Sequence, residues 1–182
     1  MKLTDSTGLK FLVITFTFGI VYAINNVLTP WLLLVPGAHL VHIPSGIKLV
    51  LVILFEKMGA CSIAVVSLVA GVLFYFPGQY FLNFELALVN ALAPYWAVAL
   101  FTYPKGIDGW NQSLTSQKIM AIALLYSMLN SALNQLVFYW NHLTADILSG
   151  FAVMFVGDVT GVLIVIMLLR IAGRLLKRRS SL

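Results

Sequence analysis

One carboxylate in this 182-residue sequence stands where a charge is hardest to keep. Asp158 lies between Gly157 and Gly161 in the run FVGDVTGVLI, Phe155 to Ile164, near the middle of the last long apolar stretch. No other acidic residue lies inside that stretch. A carboxylate at the centre of a bilayer costs about 2.5 to 3.5 kcal/mol on insertion scales, so Asp158 is expected to face the protein interior and find a partner there. Gly157 and Gly161 make a small-xxx-small step that lets a neighbouring backbone come close beside it. Two kinds of chemistry are open to such a group: holding a ligand in a polar cavity, and intramembrane chemistry together with a histidine.

Lys48 is the matching oddity, a basic residue near the start of the apolar segment GIKLVLVILF. Two arrangements are open. Lys48 and Asp158 form a direct or water-bridged pair at the floor of an outward-facing cavity, or Asp158 bonds the amides of Asn130 and Asn134 while Lys48 snorkels to the interface. Other polar residues within the apolar runs recur at helical spacing. Thr15, Tyr22, Asn26 and Thr29 make one stripe; Ser127, Asn130, Ser131 and Asn134 fall at i, i+3, i+4 and i+7 and make another. Each stripe either holds the bundle by interhelical hydrogen bonds or lines a hydrated cavity. The candidate ligand-binding residues are therefore Asn26, His42, Ser45, Lys48, Asn130, Asn134 and Asp158.

Catalysis finds little support. His39, His42 and His142 lack a nearby cysteine or paired carboxylate at ligand spacing, and the serines lack a nucleophile context, so no enzyme activity, metal or cofactor is expected. Cys61 is the single cysteine, which excludes an internal disulfide.

The elements that must position these residues are membrane helices. Hydrophobic residues make up 61% of the chain and charged residues 9%, with a mean hydropathy of +0.99, more than a soluble core of this size needs. The first apolar run, Phe11 to Val35, is too long for a signal-peptide core and is read as a retained span. An all-α integral membrane protein of six transmembrane helices is expected, with spans near 11–35, 45–55, 60–76, 85–102, 118–140 and 147–169. Glu56 to Gly59 reads as a tight turn. The short second span covers about 16 Å, so it is expected to be re-entrant, with residues 36–45 dipping into the membrane as a pocket wall.

The net charge of +5 does not indicate nucleic acid, because Arg170, Arg174, Lys177, Arg178 and Arg179 crowd the C-terminal end as the flank of a last helix and a surface for anionic lipid. This topology puts ten of the eleven basic residues on one side. It gives a cytoplasmic segment 1–10, a membrane domain 11–172 and a basic cytoplasmic tail 173–182, in the bacterial inner membrane with both termini cytoplasmic. The loop 103–117 is a polar connector or a partner-docking site.

Three segments resemble the first-described membrane-associated sensor domain (MASE-type) of bacterial histidine kinases and diguanylate cyclases: HIPSGIKLVLVILF, EKMGACSIAVVSLVAG and GDVTGVLIVIMLLR. Lys48 departs from the apolar residue expected in the half-span, and no output domain accompanies the segment. The resemblance implies a sensory or scaffold module whose signalling or assembly partner is a separate protein. The chain also looks like the substrate-binding components of energy-coupling-factor vitamin transporters, which dock an energising module through small-xxx-small faces; Gly19/Ala23 and Ala60/Ala64 would serve.

Overall fold

A computed structural model describes residues 6–28, 33–35, 38–39, 41–102 and 115–179. Its elements are α1 (Thr7–Leu28), a two-stranded antiparallel hairpin of β1 (Leu33–Val35) and β2 (Ala38–His39), α2 (Ile43–Ala70), a π-helical turn Gly71–Tyr75, α3 (Tyr80–Thr102), α4 (Ser116–Trp140) and α5 (Ile147–Arg179). Capping residues fix several starts. The hydroxyls of Ser6 and Thr115 accept from the backbone N–H groups of Leu9 and Lys118, and the Asp146 carboxylate accepts from Ser149 N at 3.0 Å. Each satisfies an orphan donor of a first helical turn.

The expected six spans with a short re-entrant second one are corrected. Among the described residues five helices are long and apolar enough to cross a bilayer, and the stretch expected to hold two of them is one 33-residue apolar element, Ile43–Tyr75. Glu56 and Lys57 read as a loop because a charged pair interrupts an apolar run. In the structure one residue alone leaves helical geometry, Glu56 at φ 48° and ψ −121°, so no coil separates the two arms. The bend is sharp. Gly59 lies so close that a β-carbon there would overlap the Leu51 carbonyl, and Tyr22 stacks edge-on against rings near both extremes of the element, His42 at 6.1 Å and Tyr75 at 6.4 Å. The two arms of α2 are folded against each other. The expected pocket wall falls partly outside the described residues, which omit 36, 37 and 40, as does most of the 103–117 loop.

Packing is inverted relative to a water-soluble protein. Phe16, Leu148 and Trp140 stand 73%, 80% and 82% exposed, whereas Lys48, Asn83, Gln135, Asn130, Asn134 and Asp158 are buried. Helices satisfy their own backbone polar groups, so an apolar outer surface and a polar interior suit hydrocarbon surroundings. This is the construction of a multi-pass membrane protein. An apolar layer of Phe18, Leu49, Val52, Ile63, Ala97, Val98, Ile122 and Val162 joins all five helices below the polar region. Lys10, the Glu56 bend, Lys118 and Arg170 lie toward one end of the bundle, as the contacts Thr15–Ser62 and Arg170–Ser116 require; the Tyr75–Asn26 and Asn141–Glu85 contacts mark the other.

Candidate functional site

The site begins with two glycines. A β-carbon on Gly161 would overlap the His42 carbonyl, and one on Gly46 would lie 2.6 Å from the Gly161 carbonyl oxygen, so only glycine lets the first turn of α2 rest on α5. His42 N–H then donates to the Gly157 carbonyl at 3.1 Å. That contact delivers His42 and Ser45 to Asp158, which lies one turn before Gly161.

Asp158 is 3% exposed and both its oxygens have partners. Its Oδ1 accepts a hydrogen bond from Ser45 Oγ and lies 3.3 Å from His42 Nδ1; its Oδ2 accepts from Asn130 Nδ2 at 2.7 Å. His42 Nδ1 is also 2.7 Å from Ser45 Oγ. Ser45 has one hydroxyl proton, directed at Asp158, so it accepts from His42 and the histidine proton sits on Nδ1. Asn134 Nδ2 donates to the Asn130 main-chain carbonyl at 2.8 Å and to its side-chain Oδ1 at 3.3 Å, and the latter steadies the asparagine facing the carboxylate.

Lys48 lies one turn beyond Ser45, is 1% exposed and makes its hydrogen bond outside this cluster. Its Nζ donates to Asn90 Oδ1 at 2.6 Å, and among the described residues it makes no ion pair with Asp158. The Lys48 that was alternatively expected to snorkel to the interface is buried. Asn130 bonds the carboxylate directly, whereas Asn134 acts one step behind it.

Beside Asp158 is a cavity of about 70 Å³, room for a few waters or a small molecule. Asp158, His42, Asn130 and Asn134 line it from α5, the entry to α2 and α4. The second arm of α2 and α3 supply Ser67, Asn83 and Asn90, and Tyr22, Tyr75, Phe76 and Phe138 add aromatic surface. Among the described residues, Ser67 Oγ and Asn83 Oδ1 are buried without a hydrogen-bond partner. Asn83 owes its orientation to its amide nitrogen, which donates to the Phe76 carbonyl at 2.8 Å beyond the π-helical turn.

Four of the residues anticipated from the sequence thus line one cavity: His42, Asn130, Asn134 and Asp158. Ser45 and Lys48 stand behind its wall, each bonded to a lining residue. Asn26 also stands behind the wall, accepting from Tyr75 OH, and with Thr15 on Ser62 at 3.0 Å it ties α1 to α2 and the π-helical turn. Ser127 and Ser131 are buried without hydrogen-bond partners among the described residues and do not line the cavity; Thr29 lies outside the described residues. Ser67, Asn83 and Asn90 were missed. Their signal was spacing: Asn83 and Asn90 are seven apart on α3, and Ser67, Gly71 and Tyr75 recur every four residues. No group of three His, Cys, Asp or Glu among the described residues is arranged to hold a metal ion. Compared with models of protein families, with curated proteins and with solved structures, the chain matches none.

Proposed function

We propose that this protein is a non-catalytic membrane module that holds a small ligand in its polar cavity and acts through a separate signalling or assembly protein. The observation that carries the reading is the cavity beside Asp158. A buried intramembrane carboxylate held by three side chains is costly, and in a membrane protein such residues mark ligand or ion sites. The two segments that meet at Asp158, HIPSG and GDVTG, are also those that carry the resemblance to the sensor-domain family, which supports a sensory role. The setting we infer is the bacterial inner membrane with both termini cytoplasmic and the cavity nearer the outer face. Supporting it, Lys10, Lys57, Lys118, Arg170 and Arg174 belong to the same end of the bundle, as positive residues do on a cytoplasmic side.

Thermal unfolding of the purified protein in nanodiscs, screened against small polar metabolites, tests this. At a hundredfold excess over Kd a ligand stabilises the folded state by about 2.7 kcal/mol, so at least one compound should raise Tm saturably in the wild type and not in Asn130→Leu. If no compound does so, the ligand-site reading is wrong.

A second reading has its own support. A lipid-facing groove between α1 and the second arm of α2 is lined by Gly19 and Ala23, with Val65 and Val69 opposite, and small residues there suit docking of another membrane helix. That is the arrangement a transporter's substrate-binding component would use, and co-isolation of an ATPase module from native membranes would favour it.

A further inference from the structure

We propose that the ligand is a small organic cation, a protonated amine or a quaternary ammonium; this deepens the ligand-site reading and rests on it. Among the described residues Asp158 is the only acidic side chain lining the cavity, and neither Lys nor Arg lines it. Its oxygens are held by Ser45, Asn130 and His42, donors that fix the carboxylate in place, while Lys48 is turned to Asn90.

The remaining wall asks for donors. Asn83 gives its N–H to the Phe76 carbonyl, so the end left over is the carbonyl oxygen, and among the described residues that buried oxygen has no partner, nor has the Ser67 hydroxyl, which can accept or donate. Leaving a buried acceptor unmade costs about 1 to 3 kcal/mol, which a ligand N–H or polarised C–H removes. An anion placed here would meet a carboxylate and a bare carbonyl oxygen.

Aromatic walls narrow the class further. Tyr22, Tyr75, Phe76 and Phe138 line the same space, and ring faces attract a cation within about 6 Å in a desolvated site. A hard inorganic cation prefers a shell of six or more oxygens, which rings do not provide. The volume of about 70 Å³ admits only a few heavy atoms. A carboxylate, an unpartnered carbonyl oxygen and aromatic rings lining one space match an alkylammonium group.

Charge-selective thiol labelling tests this without knowing the natural ligand. In a Cys61→Ser background, Ser67→Cys places a thiol at the cavity wall; 2-aminoethyl and 2-sulfonatoethyl methanethiosulfonate are cationic and anionic probes of similar size. With each rate normalised to that of free 2-mercaptoethanol, the cationic probe should react at least about tenfold faster, as expected where a cleft focuses one sign of charge. Methylammonium chloride should slow the labelling and sodium acetate should not. Asp158→Asn should abolish the preference. Equal normalised rates, or a preference for the sulfonate, would overturn the cation assignment and leave the ligand site standing. No reaction with either probe would instead sink the ligand-site reading itself, and the cation assignment with it. If Ser67→Cys does not fold, Asn134→Cys, on the α4 side of the same cavity, carries the same comparison.

Discussion

The buried charges hydrogen-bond to polar side chains and, among the described residues, not to each other. Asp158 is satisfied by Ser45, Asn130 and His42, and Lys48 by Asn90, so each charge has its own set of partners on a different helix. The consequence for Lys48 is an asymmetry. Removing a partner strands a buried charge at a cost of about 3 kcal/mol or more, whereas removing the charge relieves its own desolvation. Asn90→Leu should therefore lower the unfolding free energy by about 3 kcal/mol. Lys48→Met should change it by less than about 1 kcal/mol, because the freed Asn90 oxygen lines the cavity and water can reach it. The double variant should recover most of the Asn90→Leu loss. Denaturant unfolding of the purified protein checks all three, and a Lys48→Met loss as large as that of Asn90→Leu would contradict this account of the lysine.

At the scale of elements, the site depends on one helix contact and one bend. Gly161 lies under the His42 carbonyl, backbone against backbone, where no side-chain rotamer can give way. Gly161→Ala is expected to cost about 3 kcal/mol by overpacking and to pull Ser45 and His42 away from Asp158. Gly173 lies later in the same helix with nothing within 4 Å of a β-carbon, so Gly173→Ala should stabilise by up to about 1 kcal/mol through helix propensity alone. The pair separates packing from propensity in one unfolding series. The bend is held by Glu56 in a conformation that favours glycine. Glu56→Gly should raise the unfolding free energy by about 1 kcal/mol, since such strained non-glycine backbone costs about 1 to 3 kcal/mol. A loss of stability instead would mean that the Glu56 side chain holds the bend.

For the whole molecule, the path of the chain governs how the membrane sees it. The beginning of α1, the Glu56 bend and the Arg170 region share an end of the bundle, and α5 continues helically past the apolar region as far as Arg179. Reporter fusions before Met1 and after Leu182 should therefore read the same side, the cytoplasmic one in the orientation proposed above from the positive residues gathered there. A phosphatase fusion active after Leu182 would overturn this orientation. The apolar residues on the surface and the polar ones within also leave the cavity as the one described place where a charge, unpartnered acceptors and rings meet.

Composition and periodicity by themselves determined that the chain is a multi-pass, all-helical membrane protein, because burying backbone in hydrocarbon leaves helices as the economical solution for long apolar runs. They also marked Asp158, since a charge inside such a run stands out against a uniform background. The polar stripe of α4 pointed to Asn130 and Asn134 for the same reason. Tertiary structure decided the rest. Whether Glu56 and Lys57 ended one helix and began another depended on a single pair of backbone angles, to which hydropathy is blind. Which partner each charge took depended on how Gly46 and Gly161 let α2 meet α5. Asn83 and Asn90, not singled out from the sequence, are turned by packing toward Gly71 and Lys48. Helix spacing specifies which residues share a face, but only the packing of one helix against the next determines what that face meets.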